Sequence, residues 1–284
     1  MDNEMNRYCL GHFLLSVDQR FASLFNETTA RFDLVNFERL DVSTETAFNQ
    51  FVLARAQELT EADRERDPIL MEIPNGRLYE VRETSRGGTS YGFVFRDNVG
   101  FEVQSTFSDR LADQFRANAV DVLSRLRPLN SALNNNAIFC FSSGYILGPT
   151  AAPDRSKVYE AIFESQDGLR LKVTSEWLAK PEISFDFDTS LPWASARTVG
   201  GTLGVEARLN SGETVGGGGL TVLPPTGGQR YYEGTQGSAP GLRLTIHLWI
   251  ADEGQASAID AQALNQIWET LLSSAAPLPA LATN

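Results

Sequence analysis

The chain has 284 residues, and 24 lysine and arginine residues against 36 aspartate and glutamate residues give a formal net charge of −12 at pH 7. An acidic chain with only three lysines and no basic run lacks the clustered positive charge that nucleic acids and anionic membranes need in a partner. A hydrophobic fraction of 42% with 21% charged residues excludes a disordered chain, and the length suggests about two domains.

Hydrophobic periodicity predicts the elements of the first half. Helix 44–59 carries an apolar stripe at helical spacing, and a helix at 107–126 has Ser108 as its cap and Pro128 as its stop. A turn at 85–88 separates two of the strands. In chain order we predict a strand at 8–15, helix 44–59, strands 78–82, 91–95 and 99–104, and helix 107–126.

The second half reads as strands followed by one helix. Glycine turns at 166–168 and 210–212 predict hairpins. In chain order we predict strands at 139–147, 158–163, 169–174, 202–209, 220–223 and 242–250, and then a helix at 259–272.

The two halves resemble each other at both ends. The segment YCLGHFLL at 8–15 and the segment FCFSSGYIL at 139–147 each place an aromatic residue and a cysteine before a glycine and an aliphatic run. A Leu-Ser-x-x-x-Pro-Leu spacing recurs at 123–129 and 272–278, each time at the end of a predicted helix. Internal duplication therefore explains the pattern better than coincidence between short apolar strings.

These patterns predict an α+β fold of two related domains, each an antiparallel sheet with packed helices. An asparagine-rich linker at 130–136 separates the halves, so we place the domains at 1–133 and 134–284.

Catalytic and metal-binding signals are sparse. The only histidines are His12 and His247, and no Gly-x-Ser-x-Gly nucleophile motif is present. We place His247 on the solvated or partner-covered face of its strand, together with Arg243 and Thr245. Cys9-x-x-His12 has a metal-like spacing, but it lacks further ligands nearby, and a strand would point the two side chains apart. We therefore expect no enzyme activity, no metal and no cofactor.

Two interpretations of the cysteines stay open. Cys9 and Cys140 occupy matching places in the two halves, and each could be a small buried core residue. Alternatively they form one disulfide, which would require an oxidising compartment. The start of the sequence shows no signal peptide, so we expect either a cytoplasmic protein or a mature form without its leader.

The segments 8–15, 139–140 and IWETLLSS at 267–274 together resemble the two-domain immunity proteins that neutralise lipase effectors of bacterial type VI secretion. The resemblance spans nearly the whole chain. Where that family often has Arg after the first glycine, this chain has His12, and where it has Pro after the leucine run, Val17-Asp18 stands here. The resemblance therefore leaves the cognate effector open.

The resemblance implies a periplasmic protein that binds a phospholipase effector. Members of this family are expected to grip the lid of the enzyme with both domains, so that substrate cannot reach the active site, and they contribute no catalytic residue. Membrane association would come only from a removed leader or a lipid anchor. The runner-up is a cell-envelope ligand-binding or accessory protein with a cleft between two related halves.

Aromatic and arginine side chains in ordered loops are the best candidates for anchoring a partner. We single out five such residues, each of which could instead serve ordinary packing. They are Arg86, Tyr91, Trp193, Tyr231 and Tyr232.

Overall fold

The protein is described as a computed structural model. The structure describes residues 5–24, 29–32, 35–62, 69–73, 76–84, 86–129, 133–141, 143–148, 157–178, 194–209, 229–236, 241–250 and 261–281. The predicted turn at 210–212 and strand at 220–223 lie outside these ranges. None of the helices in the described ranges combines the length and the apolar character needed to cross a bilayer.

Antiparallel strands dominate the structure, with three α-helices and two short 3₁₀ turns among the described residues. The helices are α1 (Glu45–Ala62), α2 (Ala112–Arg125) and α3 (Ala261–Ser274), and the 3₁₀ turns are Asp109–Leu111 and Pro279–Leu281. The strands are β1 (Met5–Leu10), β2 (Phe13–Asp18), β3 (Phe21–Ser23), β4 (Thr29–Phe32), β5 (Val35–Leu40), β6 (Ile69–Ile73), β7 (Gly76–Thr84), β8 (Gly87–Arg96), β9 (Val99–Ser108), β10 (Leu126–Pro128), β11 (Ala137–Phe141), β12 (Gly144–Leu147), β13 (Lys157–Ser165), β14 (Leu169–Leu178), β15 (Ala194–Val199), β16 (Thr202–Leu209), β17 (Gln229–Gln236), β18 (Gly241–Ile250) and β19 (Ala276–Pro277). The predicted α+β class of antiparallel sheet with helices is confirmed.

The chain divides into two compact units. Unit 1 comprises Met1–Thr29, Phe139–Ser142 and Thr150–Asn284, and unit 2 comprises Ala30–Ile138 and Ser143–Pro149. This division differs from the predicted boundary at 133/134, because the N-terminal hairpin pairs with residues far along the chain. Strand β2 pairs with β19, and Gly11 forms a bridge to Cys140. That the two halves arose by duplication stays a prediction.

The main sheet of unit 1 has the strand order β15-β16-β17-β18-β14-β13, with all neighbours antiparallel, and β3 pairs with β13. Strand β13 alternates buried and half-buried residues, as expected of a sheet covered on one face. Strands β1, β2 and β19 form a second, smaller sheet, and α3 packs against β2.

The sheet of unit 2 has the strand order β4-β5-β9-β8-β7-β6. Helix α1 packs on the face that carries Tyr79 and Phe93, where Phe48 and Val52 are buried with them. Helix α2 packs on the opposite face, since Leu123 lies against Gly92, whose position points away from that of Phe93. Unit 2 is therefore a sheet between two helices.

The second predicted helix begins later than the sequence suggests. Phe107 and Ser108 belong to β9, where Phe107 is the register partner of Gly88, and α2 begins only at Ala112. Phe107 fits both the period of the strand and the period of the following helix, so the apolar pattern alone does not locate the junction.

Candidate functional site

Cys9 and Cys140 are joined by a disulfide bond, and their Cα atoms lie 5.6 Å apart. Beside the bond, Gly11 N–H donates to the Cys140 carbonyl at 2.8 Å and Cys140 N–H donates to the Gly11 carbonyl at 2.7 Å. Cys9 is therefore engaged as a disulfide sulfur, and it has no thiolate to offer as a metal ligand with His12.

Gly11 allows this close approach of two strands. Its φ is +66°, in the left-handed region that glycine adopts without strain. A Cβ atom at this position would lie 2.7 Å from Tyr159 Cβ and 2.8 Å from Ser175 Oγ. The glycine of the Cys-x-Gly segment is thus required by packing inside unit 1.

His12 is fully buried next to the disulfide. Its Nδ1 lies 2.9 Å from Ser175 Oγ, which also accepts the backbone N–H of His12 at 3.0 Å. Burial, followed by the nearby positive charge of Lys157, lowers the pKa of His12 to about 3. His12 is therefore neutral at physiological pH and acts as a core residue, with its ring edge-on to Phe139 at 5.2 Å.

The Ser175–His12 contact has the distance of a nucleophile and its base, but not the setting. Neither side chain has accessible surface, so no substrate can reach the hydroxyl. Among the described residues no three histidine, cysteine or acidic side chains are placed to hold a metal ion. Both side chains therefore contribute to the packing of the core.

His247 is buried instead of lying on a solvated face. Its ring stacks on Trp249 at 4.6 Å and meets the Tyr231 ring edge-on at 5.9 Å. Burial, and then the charge of Lys172, lowers the pKa of His247 to about 4. Its Nε2 has no hydrogen-bond partner in the part of the chain that the structure describes, which is consistent with a neutral ring.

Tyr231 and Tyr232 lie in strand β17 and not in a loop. The Tyr231 hydroxyl donates to Glu233 at 2.8 Å, and burial is the main reason that its pKa is raised. Tyr232 has no accessible surface, and its hydroxyl donates to the Thr202 carbonyl at 2.8 Å. A fully buried side chain cannot contact a partner, so Tyr232 packs in the core instead of acting as the predicted anchor. Tyr231 is also buried, and the same argument applies to it.

The remaining three predicted anchors differ in position. Arg86 is exposed directly before β8, where its carbonyl accepts the Asp109 N–H. Tyr91 is half-buried against the α1 core, and the Arg55 guanidinium lies 5.4 Å from its ring centroid. Trp193 lies outside the described residues. Arg86 and Tyr91 belong to unit 2, whereas Tyr231 and Tyr232 belong to unit 1. A shared partner-binding site stays a prediction.

Two residues of the segment IWETLLSS, Trp268 and Ser274, hold α3 in place. Trp268 is fully buried, and its Nε1 donates to Glu206 at 2.8 Å. At the end of the helix, Ser274 Oγ accepts the backbone N–H of Ser16 at 2.9 Å. These motif residues therefore anchor α3 within unit 1.

An open cleft of about 430 Å³ lies in unit 2, between the first turns of α1 and the β6–β7 hairpin. Its lining combines two aromatic rings, two carboxylates and two other polar side chains. These residues are Glu45, Phe48, Asn49, Glu72, Arg77 and Phe95. Sequence reasoning missed this cleft and the neighbouring β6, although the apolar run ILMEI between two prolines was a visible signal.

No protein-family model and no curated protein matches the chain. Among solved structures, the immunity protein TplEi of the type VI secretion system (T6SS) from Pseudomonas aeruginosa matches with a TM-score of 0.71 and 15% identity, over 98% of this chain and 99% of that chain. The chain has the fold of this T6SS immunity protein.

Two further solved structures share this T6SS immunity-protein fold. A chain of the Tle4–Tli4 complex matches with a TM-score of 0.71 and 14% identity, over 98% of this chain and 99% of that chain. TplEi in complex with the "L" peptide matches with a TM-score of 0.66 and 13% identity, over 97% and 98%. The resemblance predicted from short sequence segments is therefore confirmed at the level of the fold.

Proposed function

We propose that this protein is an immunity protein that binds a cognate type VI secreted phospholipase effector and inhibits it. The observation that carries the proposal is the agreement in fold with TplEi over nearly the full length of both chains. A chain of the Tle4–Tli4 complex shares the same fold, so a complex with a partner protein suits this architecture.

The disulfide supports a periplasmic location for this activity. Disulfides form and persist in oxidising compartments such as the bacterial periplasm, and reducing systems remove them in the cytosol. The bond between Cys9 and Cys140 is buried within unit 1, where it is part of the core.

Inhibition would come from binding and not from chemistry on the effector. The serine–histidine pair has no accessible surface, and both histidines are neutral core residues. A stable inhibitory complex needs an interface of roughly 1,600 Å². Arg86 is exposed, so its side chain is available to contribute to such an interface.

We further propose that the protein holds the lid of the effector closed, so that phospholipid cannot enter the active site. A lid must open before lipid enters, and a partner that binds the closed state preferentially shifts the population towards it. A lidless variant of the effector should therefore keep its activity in the presence of a saturating amount of this protein.

The test is co-purification with candidate lipases, beginning with any lipase encoded beside this gene. The oxidised full-length protein is mixed with each purified lipase, and complex formation is followed by size-exclusion chromatography with light scattering. Hydrolysis of phospholipid vesicles is then measured at increasing amounts of the protein. We expect one lipase to form a stoichiometric complex and to lose its activity at equimolar inhibitor.

A lipase from an unrelated secretion cluster serves as the control and should stay active. If no neighbouring lipase forms a complex and hydrolysis is undiminished with each of them, the proposed function is refuted. If a complex forms without loss of hydrolysis, binding stands and inhibition falls.

A further inference from the structure

Strand β6 is the edge of the unit 2 sheet. Among the described strands it pairs with β7 only. Two of its large apolar residues are exposed to solvent, Ile69 to 44% and Leu70 to 50%. An edge strand leaves alternate backbone N–H and C=O groups without a ladder partner, and these groups form a template for another strand.

This edge has only part of the usual protection against pairing. Natural edge strands are protected by lysines, prolines, inward-pointing charges or a bulge. Strand β6 reads Ile-Leu-Met-Glu-Ile, with one charge and no proline within the strand, although a proline flanks it on each side in the sequence. Its register with β7 is regular from Ile69 to Ile73. An exposed apolar edge of this kind is typical of a surface that is covered in a complex.

The two faces of β6 differ. Leu70 and Glu72 point to the face of the sheet that carries α1, because Leu70 is the register partner of Tyr79 in the α1 core. Ile69 and Met71 point to the other face. The cleft beside α1 therefore lies next to Leu70 and Glu72, where the side chains of an added strand would enter it.

The cleft has the lining that a long basic side chain needs. The half-buried Phe95 ring offers aromatic surface, over which a guanidinium or ammonium group binds favourably. The buried Phe48 ring supports it from behind, with 5.4 Å between the two ring centroids. Glu45 and Glu72 supply carboxylates. Among the described lining residues Arg77 is the one cation, and it lies 3.4 Å from Glu72. The described lining therefore carries one more acidic group than basic group.

We propose that β6 and this cleft bind an extended segment of the effector by strand addition, with an arginine or lysine side chain seated in the cleft. The proposal rests on the proposed function, and it names the recognition element. The segment adds backbone hydrogen bonds along β6 and places apolar side chains beside Ile69 and Leu70. One basic side chain, on the α1 face, reaches Glu45 and Glu72.

A second copy of this chain fits the site less well than a basic partner. The segment ILMEI contains no lysine or arginine, so a second β6 would bring another glutamate towards a cleft that already holds two. Each copy also carries a net charge of −12, which opposes self-association.

The test starts with a displayed library of random twelve-residue peptides selected on the oxidised full-length protein, with counter-selection on the Leu70→Asp variant. We expect enriched peptides that alternate apolar residues with arginine or lysine. A fluorescent copy of the best peptide should bind about tenfold more weakly to Leu70→Asp and to a Glu45→Lys/Glu72→Lys variant. On binding, the β6 amides should gain protection from hydrogen exchange.

The matched control is Leu203→Asp, because Leu203 is also an exposed leucine on a strand but lies in unit 1. Circular dichroism shows whether each variant is folded, and the peptide should bind Leu203→Asp as it binds wild type. Failure to select any peptide, or equal binding to wild type and Leu70→Asp, overturns the proposal.

Competition with the effector separates this inference from the proposed function. The selected peptide should displace the effector identified by co-purification, and Leu70→Asp should weaken that complex about tenfold. An effector complex that is indifferent to both the peptide and the variant leaves the proposed function intact and overturns the assignment of β6. A dimer of the free protein that Leu70→Asp disperses would overturn the choice of partner.

Discussion

The two buried histidines should make the stability of this protein fall as the pH drops below neutrality. The folded-state pKa is about 3 for His12 and about 4 for His247, against an unfolded value of about 6.5. Below pH 6.5 both histidines are protonated in the unfolded chain, whereas they stay neutral in the folded chain until the pH approaches their folded-state pKa values. The stabilising contribution is therefore complete above pH 6.5, and it is lost progressively as the pH falls towards the folded-state values.

The magnitude follows from the interval between the two pKa values. From pH 6.5 to pH 4.5 each histidine costs about 2.5 kcal/mol of unfolding free energy, since one pH unit corresponds to about 1.4 kcal/mol per proton. The variant His12→Asn removes one titrating group and keeps an acceptor near the position of Nδ1 for Ser175. Between pH 7 and pH 4.5, the unfolding free energy of wild type should fall by about 2.5 kcal/mol more than that of this variant. Both proteins contain the same carboxylates, so the contribution of these groups to the pH dependence cancels in the difference.

Urea denaturation at a series of pH values measures the difference. The His247→Asn variant provides the parallel case, and the double variant should show the sum, about 5 kcal/mol. Since the chain has only two histidines, their ring proton resonances give a direct check in the folded state. A folded-state titration near pH 6.5, or equal pH dependence of wild type and His12→Asn, would refute the reasoning.

Two further predictions concern the N-terminal hairpin. Replacing Cys9 and Cys140 by serine should lower the free energy of unfolding in urea by about 5 kcal/mol, because the bond spans 131 residues. A reductant should have no further effect on that variant. A loss under about 1 kcal/mol would contradict this account. Gly11→Ala should cost about 3 kcal/mol through its clash with Tyr159. Gly148→Ala, also at positive φ but with only an ordinary van der Waals contact to the Arg125 side chain at 3.5 Å, should cost about 1 kcal/mol in thermal melts, and equal losses would contradict the packing argument.

The strands with strict alternation could be predicted from the sequence. The predicted segments 158–163, 169–174 and 242–250 all fall within β13, β14 and β18, because each strand has one covered face and period-2 burial makes that face visible in sequence. Helix α1 is likewise found within a few residues, since its apolar stripe has no competing strand period.

Other features depend on neighbours that are distant in sequence. Strand β6 is short and apolar between two prolines, so neither period is long enough to be recognised. Whether Tyr232 is an exposed anchor or a core residue depends on Thr202, thirty residues away. The cleft could not be predicted from the sequence for the same reason, because its lining joins the start of a helix to a hairpin about thirty residues later.

The pairing of β2 with β19 makes the first hairpin depend on residues more than 260 positions later in the chain. Phe13 and Leu14 pair with Pro277 and Ala276, and the Leu278 N–H donates to the His12 carbonyl. Residues 276–278 must therefore be available before the first hairpin can complete its sheet. Removal of residues 276–278 would take away the partner strand of β2 and weaken the attachment of the first hairpin.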